Sequence, residues 1–229
     1  MHNVKKAQIE LRLLSEANIV DRSAIILAGG SSSRFGEDKG TVEFNGKPLL
    51  AHVVDSVKGL AEEVIVVTSS KERASVYAKL ISPKVKFVVD VCESKGALVG
   101  ALTGFEAAQG KYSLLLPSDN PFVSKDVVTL LFECSSGKAA AIPRWTNNQI
   151  EPLYAVYNTK LALEAARETL AEDVLDMKVM ISKLRGVRYI STLVIEQLDP
   201  DLRTFFNVNT PLDLKKAVAM SKSAKPRKQ

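Results

Sequence analysis

Hydrophobic and polar positions in this chain of 229 residues form blocks, with short runs of β-branched residues and leucines separated by longer mixed stretches. Four runs are almost continuously apolar, as is typical of strands buried on both faces of a sheet. They span residues 24–27, 64–67, 85–89 and 112–116. Alternation of such strands with helices indicates an α/β fold with a mostly parallel central sheet and helices on both faces.

Helix start and end signals lie between these strands. Pro48 suits the first turn of a helix over Leu49–Val57, and Gly59 suits its end. Ser124 is a preferred N-cap residue for the helix after the fourth strand. Further helices are predicted over 71–80, 97–108 and 124–134. Beyond residue 135 the predicted elements are strands near 139–142 and 153–157, helices near 160–170 and 178–185, and a last helix opening at Pro211.

The length predicts one large domain, because two full domains would each be small for a well-buried core. We place it at residues 23–220, after an extension over 1–22 that could be helical and before a basic tail over 221–229. The formal charge is +5. Four of these charges lie in the last eight residues, which leaves about +1 elsewhere, so we expect neither a nucleic acid nor a membrane as partner. These four are Lys222, Lys225, Arg227 and Lys228.

The cysteines and the N-terminal residues indicate in which cellular compartment the protein is expected. Cys92 and Cys134 are the only cysteines and form no Cys-x-x-Cys pair, so neither a zinc site nor a disulfide framework is predicted. Glu10, Arg12 and Glu16 interrupt the apolar residues near the start, which disfavours a secretory signal. We expect a cytoplasmic protein.

A glycine-rich segment, residues 27–39, follows the first strand directly. Gly29 and Gly30 allow the backbone to turn successive N–H groups toward an anion. Arg34 and Lys39 bring two cations into the same short loop, which favours phosphate binding. The spacing matches neither the Walker pattern nor Gly-x-Gly-x-x-Gly. The alternative interpretation is a glycine turn with surface charges.

The segment reads Leu-Ala-Gly-Gly-x-Ser-x-Arg-Phe-Gly-x-Asp-Lys and resembles the signature of the molybdenum cofactor guanylyltransferases, within the Rossmann-like nucleotidyltransferases. Four further motifs are similar to those of the family, in the same order. They are Gly-Lys-Pro-Leu at 46–49, Pro-Ser-Asp-Asn-Pro-Phe at 117–122, Pro-Leu-Tyr-Ala-Val-Tyr at 152–157 and Phe-Asn-Val-Asn-Thr-Pro at 206–211. The resemblance implies transfer of GMP from GTP to the phosphate of molybdopterin, with Mg²⁺ as cofactor. It also allows transient contact with molybdoenzyme assembly proteins.

Candidate site residues follow from these motifs. Asp119 lies just beyond the carboxyl end of the strand at 112–116, which is where ligands bind in open α/β sheets. A carboxylate is also a preferred Mg²⁺ ligand. The resemblance implies that Asp90 lies near the nucleotide and that Asn209 approaches the metal or the acceptor. The alternative is that Asn207 or Asn209 merely caps the last helix. The predicted catalytic residues are Arg34, Lys39 and Asp119. The predicted nucleotide-binding residues are Leu27, Ala28, Gly29, Gly30, Ser33, Arg34, Lys39, Thr68, Asp90 and Asp119.

The chemistry expected of this site needs no general base, since a phosphate monoester is already an anionic nucleophile at neutral pH. Three departures from the family pattern, at Thr68, Ala97 and Ser118, weaken any prediction about the base or the pterin. Two alternatives therefore stay open: a cytidylyl- or other nucleotidyltransferase of the same fold, and a non-catalytic nucleotide-binding partner in cofactor assembly. A glycosyltransferase is disfavoured, because Asp199-Pro200-Asp201 reads better as a turn than as a metal-binding Asp-x-Asp.

Overall fold

A computed structural model describes residues 21–30, 38–81, 84–90 and 96–223. The predicted N-terminal extension up to residue 20 and the tail from residue 224 lie outside the described residues. The strands are β1 (Arg22–Leu27), β2 (Glu43–Phe44), β3 (Lys47–Pro48), β4 (Glu63–Thr68), β5 (Lys86–Val89), β6 (Tyr112–Pro117), β7 (Ala140–Arg144), β8 (Ala155–Asn158) and β9 (Val187–Ser191). The α-helices are α1 (Leu49–Val57), α2 (Lys71–Leu80), α3 (Ala97–Ala107), α4 (Lys125–Ser135), α5 (Thr159–Ala171), α6 (Met177–Lys183), α7 (Thr192–Ile195) and α8 (Pro211–Ser223). Among the described helices, none has the length and apolar character needed to cross a membrane.

Seven of the described strands form one sheet in the order β5-β4-β1-β6-β8-β7-β9. β5, β4, β1 and β6 are parallel to one another. β8 runs antiparallel to both of its neighbours, and β7 and β9 are parallel to each other. The α/β fold with a mostly parallel sheet is therefore confirmed.

Two hydrophobic cores cover the two faces of the sheet. Successive residues of β1 point to opposite faces, so Ala24 and Ile26 pack in one core and Ile25 in the other. The first core includes apolar residues of α1 and α4, and the second includes those of α3, α5 and α6. Gly104 lets α3 approach the sheet closely, because a Cβ there would lie 2.4 Å from Cγ2 of Ile25.

The structure corrects the prediction that 85–89 is buried on both faces. β5 lies at the edge of the sheet, with Lys86 exposed and the next three residues only partly buried. An edge strand has a neighbour on one side only, so an apolar run does not ensure full burial.

A short hairpin before α1 was not predicted from the sequence. β2 and β3 pair antiparallel across Asn45 and Gly46, whose φ angles are 51° and 76°. Asn-Gly is the preferred pair for a two-residue turn with both φ positive, so the signal was present. Pro48 is the N-cap residue of α1 rather than part of its first turn.

The turn prediction for Asp199-Pro200-Asp201 agrees with the local contacts. Oδ2 of Asp199 accepts a hydrogen bond from the Thr204 backbone N–H at 2.7 Å. Asp201 pairs with Arg203 at 2.6 Å. Both carboxylates are used to order the turn.

Candidate active site

One cavity of about 550 Å³ opens at the carboxyl ends of the parallel strands, a size that suits a small-molecule ligand. In open α/β sheets this edge is where ligands bind. Its lining comes from the ends of β1, β4 and β6, from the residue after β5, and from the first turns of α2 and α3. Leu27, Ala28, Gly29, Gly30, Lys39, Asp90 and Asp119 are the predicted site residues that line it.

Backbone hydrogen bonds hold the start of the glycine-rich segment between two strand ends. The N–H of Ala28 donates to Val67 O at 2.8 Å, and the N–H of Ser118 donates to Leu27 O at 3.1 Å. These two hydrogen bonds fix the direction in which the main chain leaves β1, between β4 and β6, and reaches the edge of the cavity. Ser33 and Arg34 lie outside the described residues, so their roles stay predictions.

Lys39 lies beyond the glycines, at the first position of a short 3₁₀ helix, Lys39–Thr41, that Asp38 caps through the N–H of Gly40. Its ammonium donates to Oδ1 of Asn209 at 2.8 Å and lies 3.3 Å from Oδ2 of Asp119. These two partners are 170 and 80 residues away in sequence. The fold thus brings three predicted site residues together around one positive charge.

Asp119 follows β6, and its backbone carbonyl accepts from the N–H of Val208 at 2.8 Å, which fastens the segment before α8 to the site. Its side chain is 15% exposed. Burial raises the pKa of Asp119 above its usual range, and the charge and hydrogen bond of Lys39 act in the opposite direction.

One oxygen of this carboxylate makes no hydrogen bond to the part of the chain that the structure describes. Among the described residues, Oδ1 of Asp119 is buried and makes no hydrogen bond. A buried carboxylate oxygen left in this way is unfavourable, and a hard divalent cation would satisfy it. Described residues form no group of three or more acidic, histidine or cysteine ligands. The Asp119 carboxylate suits a hard divalent cation, which can take one or two carboxylates and complete its shell with phosphate oxygens and water.

Two other predicted nucleotide-binding residues differ in their surroundings. Asp90 lines the cavity, and Thr103 donates to its Oδ1 at 3.4 Å. Thr68 is fully buried, with its hydroxyl 3.1 Å from Ser70 O, and it is not among the residues lining the cavity. In this arrangement the Thr68 side chain orders the turn after β4 and does not face the cavity.

Among the cavity-wall residues that were not predicted as site residues, Asp38, Arg73 and Tyr77 contact one another. Arg73 in the first turn of α2 contacts the backbone of both Gly29 and Gly30. Tyr77, one helical turn further on, donates to Asp38 at 2.5 Å. Asp38 was visible in the motif beside Lys39, whereas the spacing of Arg73 and Tyr77 on a helix after β4 carries no recognisable phosphate-binding signal.

A small cavity of about 20 Å³ adjoins the large one, since Pro117 and Leu153 line both. Its other lining residues come from the second half of the chain and are Asn120, Glu151, Tyr154, Phe205 and Asn207.

The fold and the cavity together define a class: an α/β nucleotidyltransferase in which a glycine-rich segment, a lysine and an aspartate meet at the carboxyl edge of a parallel sheet. The comparison with protein families agrees. The family described as "MobA-like NTP transferase domain" matches residues 24–185. The chain belongs to this family.

Similar proteins extend the likeness over most of the chain. A protein of Methanosarcina mazei named "Probable molybdenum cofactor guanylyltransferase" is 36% identical over 208 residues, which cover 88% of this chain and 92% of that protein. The crystal structure of molybdopterin-guanine dinucleotide biosynthesis protein A from Archaeoglobus fulgidus has a TM-score of 0.75 at 24% identity, covering 88% of this chain and all of that one.

The same fold also occurs in a structure described as 4-diphosphocytidyl-2C-methyl-D-erythritol synthase, from Anaerococcus prevotii. Its TM-score is 0.67 at 16% identity, and the alignment covers 89% of this chain and 96% of that chain. The fold therefore leaves the transferred nucleotide undetermined.

Proposed function

We propose that this protein transfers GMP from GTP to the terminal phosphate of molybdopterin, forming molybdopterin guanine dinucleotide and pyrophosphate. The contact of Lys39 with Asp119 and Asn209 carries the proposal, because it concentrates charge where a triphosphate and a second phosphate would meet. Membership of the MobA-like family and the name of the M. mazei relative support the choice of nucleotide and acceptor.

In the proposed reaction an oxygen of the acceptor phosphate forms a bond to the α-phosphorus of GTP. The bond from the α-phosphorus to the bridging oxygen breaks, and pyrophosphate leaves with that oxygen. Because the nucleophile is already anionic at neutral pH, the barrier is mainly repulsion between two polyanions. Positioning and positive charge would then supply most of the acceleration.

Each residue's proposed role follows from its place. Backbone N–H groups of the glycine-rich segment and the Lys39 ammonium would bind the triphosphate. Asp119, with Asn209, would hold Mg²⁺ beside it, and the cation would neutralise charge that develops on the phosphate oxygens. Arg34 and Ser33, on sequence grounds alone, are assigned to the same triphosphate. Asp90 is assigned to the nucleoside.

We assign the acceptor phosphate to the large cavity beside Asp119. An in-line displacement places the nucleophile opposite the leaving pyrophosphate across the α-phosphorus, so the acceptor would lie on the far side of that phosphorus from the β- and γ-phosphates.

The experiment that tests the proposal incubates the protein with molybdopterin, Mg²⁺ and one of GTP, CTP, ATP or UTP, and follows pyrophosphate. We expect turnover with GTP only. A preference for CTP would replace GMP by CMP in the proposal. Nucleotide binding without turnover would indicate a binding partner in cofactor assembly instead of an enzyme.

A further inference from the structure

Arg73 occupies an unusual place for a cation. The N-cap of α2 is Ser70, whose hydroxyl accepts from the Arg73 N–H, so Arg73 lies in the first helical turn. The positive end of the helix dipole disfavours a cation there and favours an acidic residue. The contacts of its guanidinium offset this cost.

The guanidinium contacts one flank of the glycine-rich segment. Its Nη1 donates to Gly30 O at 3.2 Å and to Gly29 O at 3.4 Å, and it also bonds Ser69 Oγ at 3.1 Å. In a trans peptide the N–H points away from the C=O of the same plane. Holding Gly29 O therefore directs the N–H of Gly30 to the side opposite the guanidinium.

The other flank is held by the same helix. Nε of Arg73 lies 3.2 Å from Oδ2 of Asp38, and Tyr77 donates to Oδ1 of the same carboxylate at 2.5 Å. This oxygen also accepts from the N–H of Gly40 at 3.1 Å, immediately beside Lys39. A Cβ at Gly40 would lie 2.6 Å from the Tyr77 hydroxyl, so the two chain segments are in direct contact.

We propose that Arg73 is a positioning residue that, with Asp38 and Tyr77, sets the spacing between Gly29-Gly30 and Lys39 before any nucleotide binds. We call these three side chains the α2 clasp. A planar guanidinium can bond two carbonyls and a carboxylate at once, whereas an ammonium is a single point charge on a flexible stem. The clasp therefore requires arginine at position 73. It acts indirectly, because it positions the backbone of Gly29-Gly30 and Lys39, and these groups bind the nucleotide. The kinetic part of the inference rests on the proposed function.

The first test uses the nucleotide-free protein, so it is independent of any activity. Hydrogen exchange at the amide of Gly40, which donates to Oδ1 of Asp38, is compared in the wild type, Arg73→Gln and Lys71→Gln. Lys71 provides the matched control, since it carries the same charge in the same helical turn and is exposed. We expect exchange to accelerate about tenfold in Arg73→Gln and less than twofold in Lys71→Gln. Unchanged exchange in Arg73→Gln would overturn the proposal.

The second test separates positioning from direct phosphate contact. We expect Arg73→Gln to raise the KM for GTP about tenfold, with Arg73→Lys nearly as impaired. A general loss of folded protein would lower kcat and leave KM unchanged.

Asp38→Asn keeps an oxygen for Tyr77 and Gly40 but removes the charge that faces Arg73. If both residues act through one contact, adding Asp38→Asn to Arg73→Gln should raise the KM for GTP by less than a further twofold. Additive losses, or rescue by lysine, would mean that Arg73 binds phosphate itself. If the wild type shows no GTP turnover, the proposed function is wrong. The exchange experiment would still show whether Arg73 positions the glycine-rich segment.

Discussion

The two halves of the described chain contribute to the site in different ways. Up to Pro117 the strands β1, β4, β5 and β6 are parallel, and Ala28, the two glycines and Asp90 follow strand ends directly. Beyond it, β8 reverses direction, and Asn209 reaches the site from a segment that belongs to no strand. In the proposed function the first half supplies the groups for the triphosphate mainly from strand ends, whereas the second supplies groups that only long-range packing can deliver.

The largest effect that separates these halves is expected at Asp119, which lies at their junction. Asp119→Asn keeps the shape but removes the charge that the proposed metal site needs. We expect pyrophosphate release to fall about 10²–10³-fold, as for loss of one transition-state electrostatic group. Asp126→Asn, an exposed change in the first turn of α4, is the control and should retain activity. Wild-type turnover in Asp119→Asn would exclude the assigned role.

Removal of the Lys39 charge is expected to have the second-largest effect on activity. Lys39→Met preserves most of the side-chain volume but leaves Asp119 and Asn209 without the ammonium that they share. We expect about a 10²-fold lower kcat/KM together with weaker GTP binding, measured by equilibrium titration. Lys47→Met, on the adjacent hairpin, removes a partly exposed charge that pairs with Asp55, and this variant should bind GTP normally. Equal affinities in the two variants would contradict the proposal that Lys39 contacts the triphosphate.

A smaller effect is expected on the side of the second half. Asn209→Ala removes one neutral acceptor of the Lys39 ammonium, and the backbone N–H of Asn209 can still donate to Asp213. We expect about a tenfold loss of kcat/KM and an unchanged unfolding midpoint. The Thr210 hydroxyl, and not the Asn209 side chain, accepts from the Asp213 N–H at the start of α8. A fall in the unfolding midpoint with normal kinetics would therefore mean that Asn209 only stabilises the fold through its contact with Lys39.

The smallest expected effect concerns stability and pH. Since burial raises the pKa of Asp119, the folded state holds this proton more tightly than the unfolded state. The associated stability is present below the ordinary aspartate pKa and is lost as pH rises through the raised pKa. Asp119→Asn carries no such charge, so its unfolding midpoint should exceed that of the wild type by about 3 °C near pH 7. The difference between the two unfolding midpoints should vanish near pH 3. Circular dichroism of the metal-free proteins during heating measures both midpoints.

Local patterns were sufficient for most elements. Apolar runs of four or five residues predicted β1, β4 and β6, and the Ser124 cap predicted α4. They did not reveal that β5 is an edge strand, because position in the sheet depends on which strands pair. The β2–β3 hairpin carried a turn signal at Asn45-Gly46, but strands of two residues are too short for a periodic pattern.

The sequence by itself determined the α/β class, the glycine-rich segment after β1 and the carboxylate after β6, since these depend on neighbouring residues and on strand ends. Only the tertiary structure decided that Lys39 lies between Asp119 and Asn209 and that Arg73 and Tyr77 hold both described flanks of the segment. These contacts join residues up to 170 positions apart. No local periodicity encodes such distances, because they arise when the sheet and its helices pack and bring separate segments to one edge.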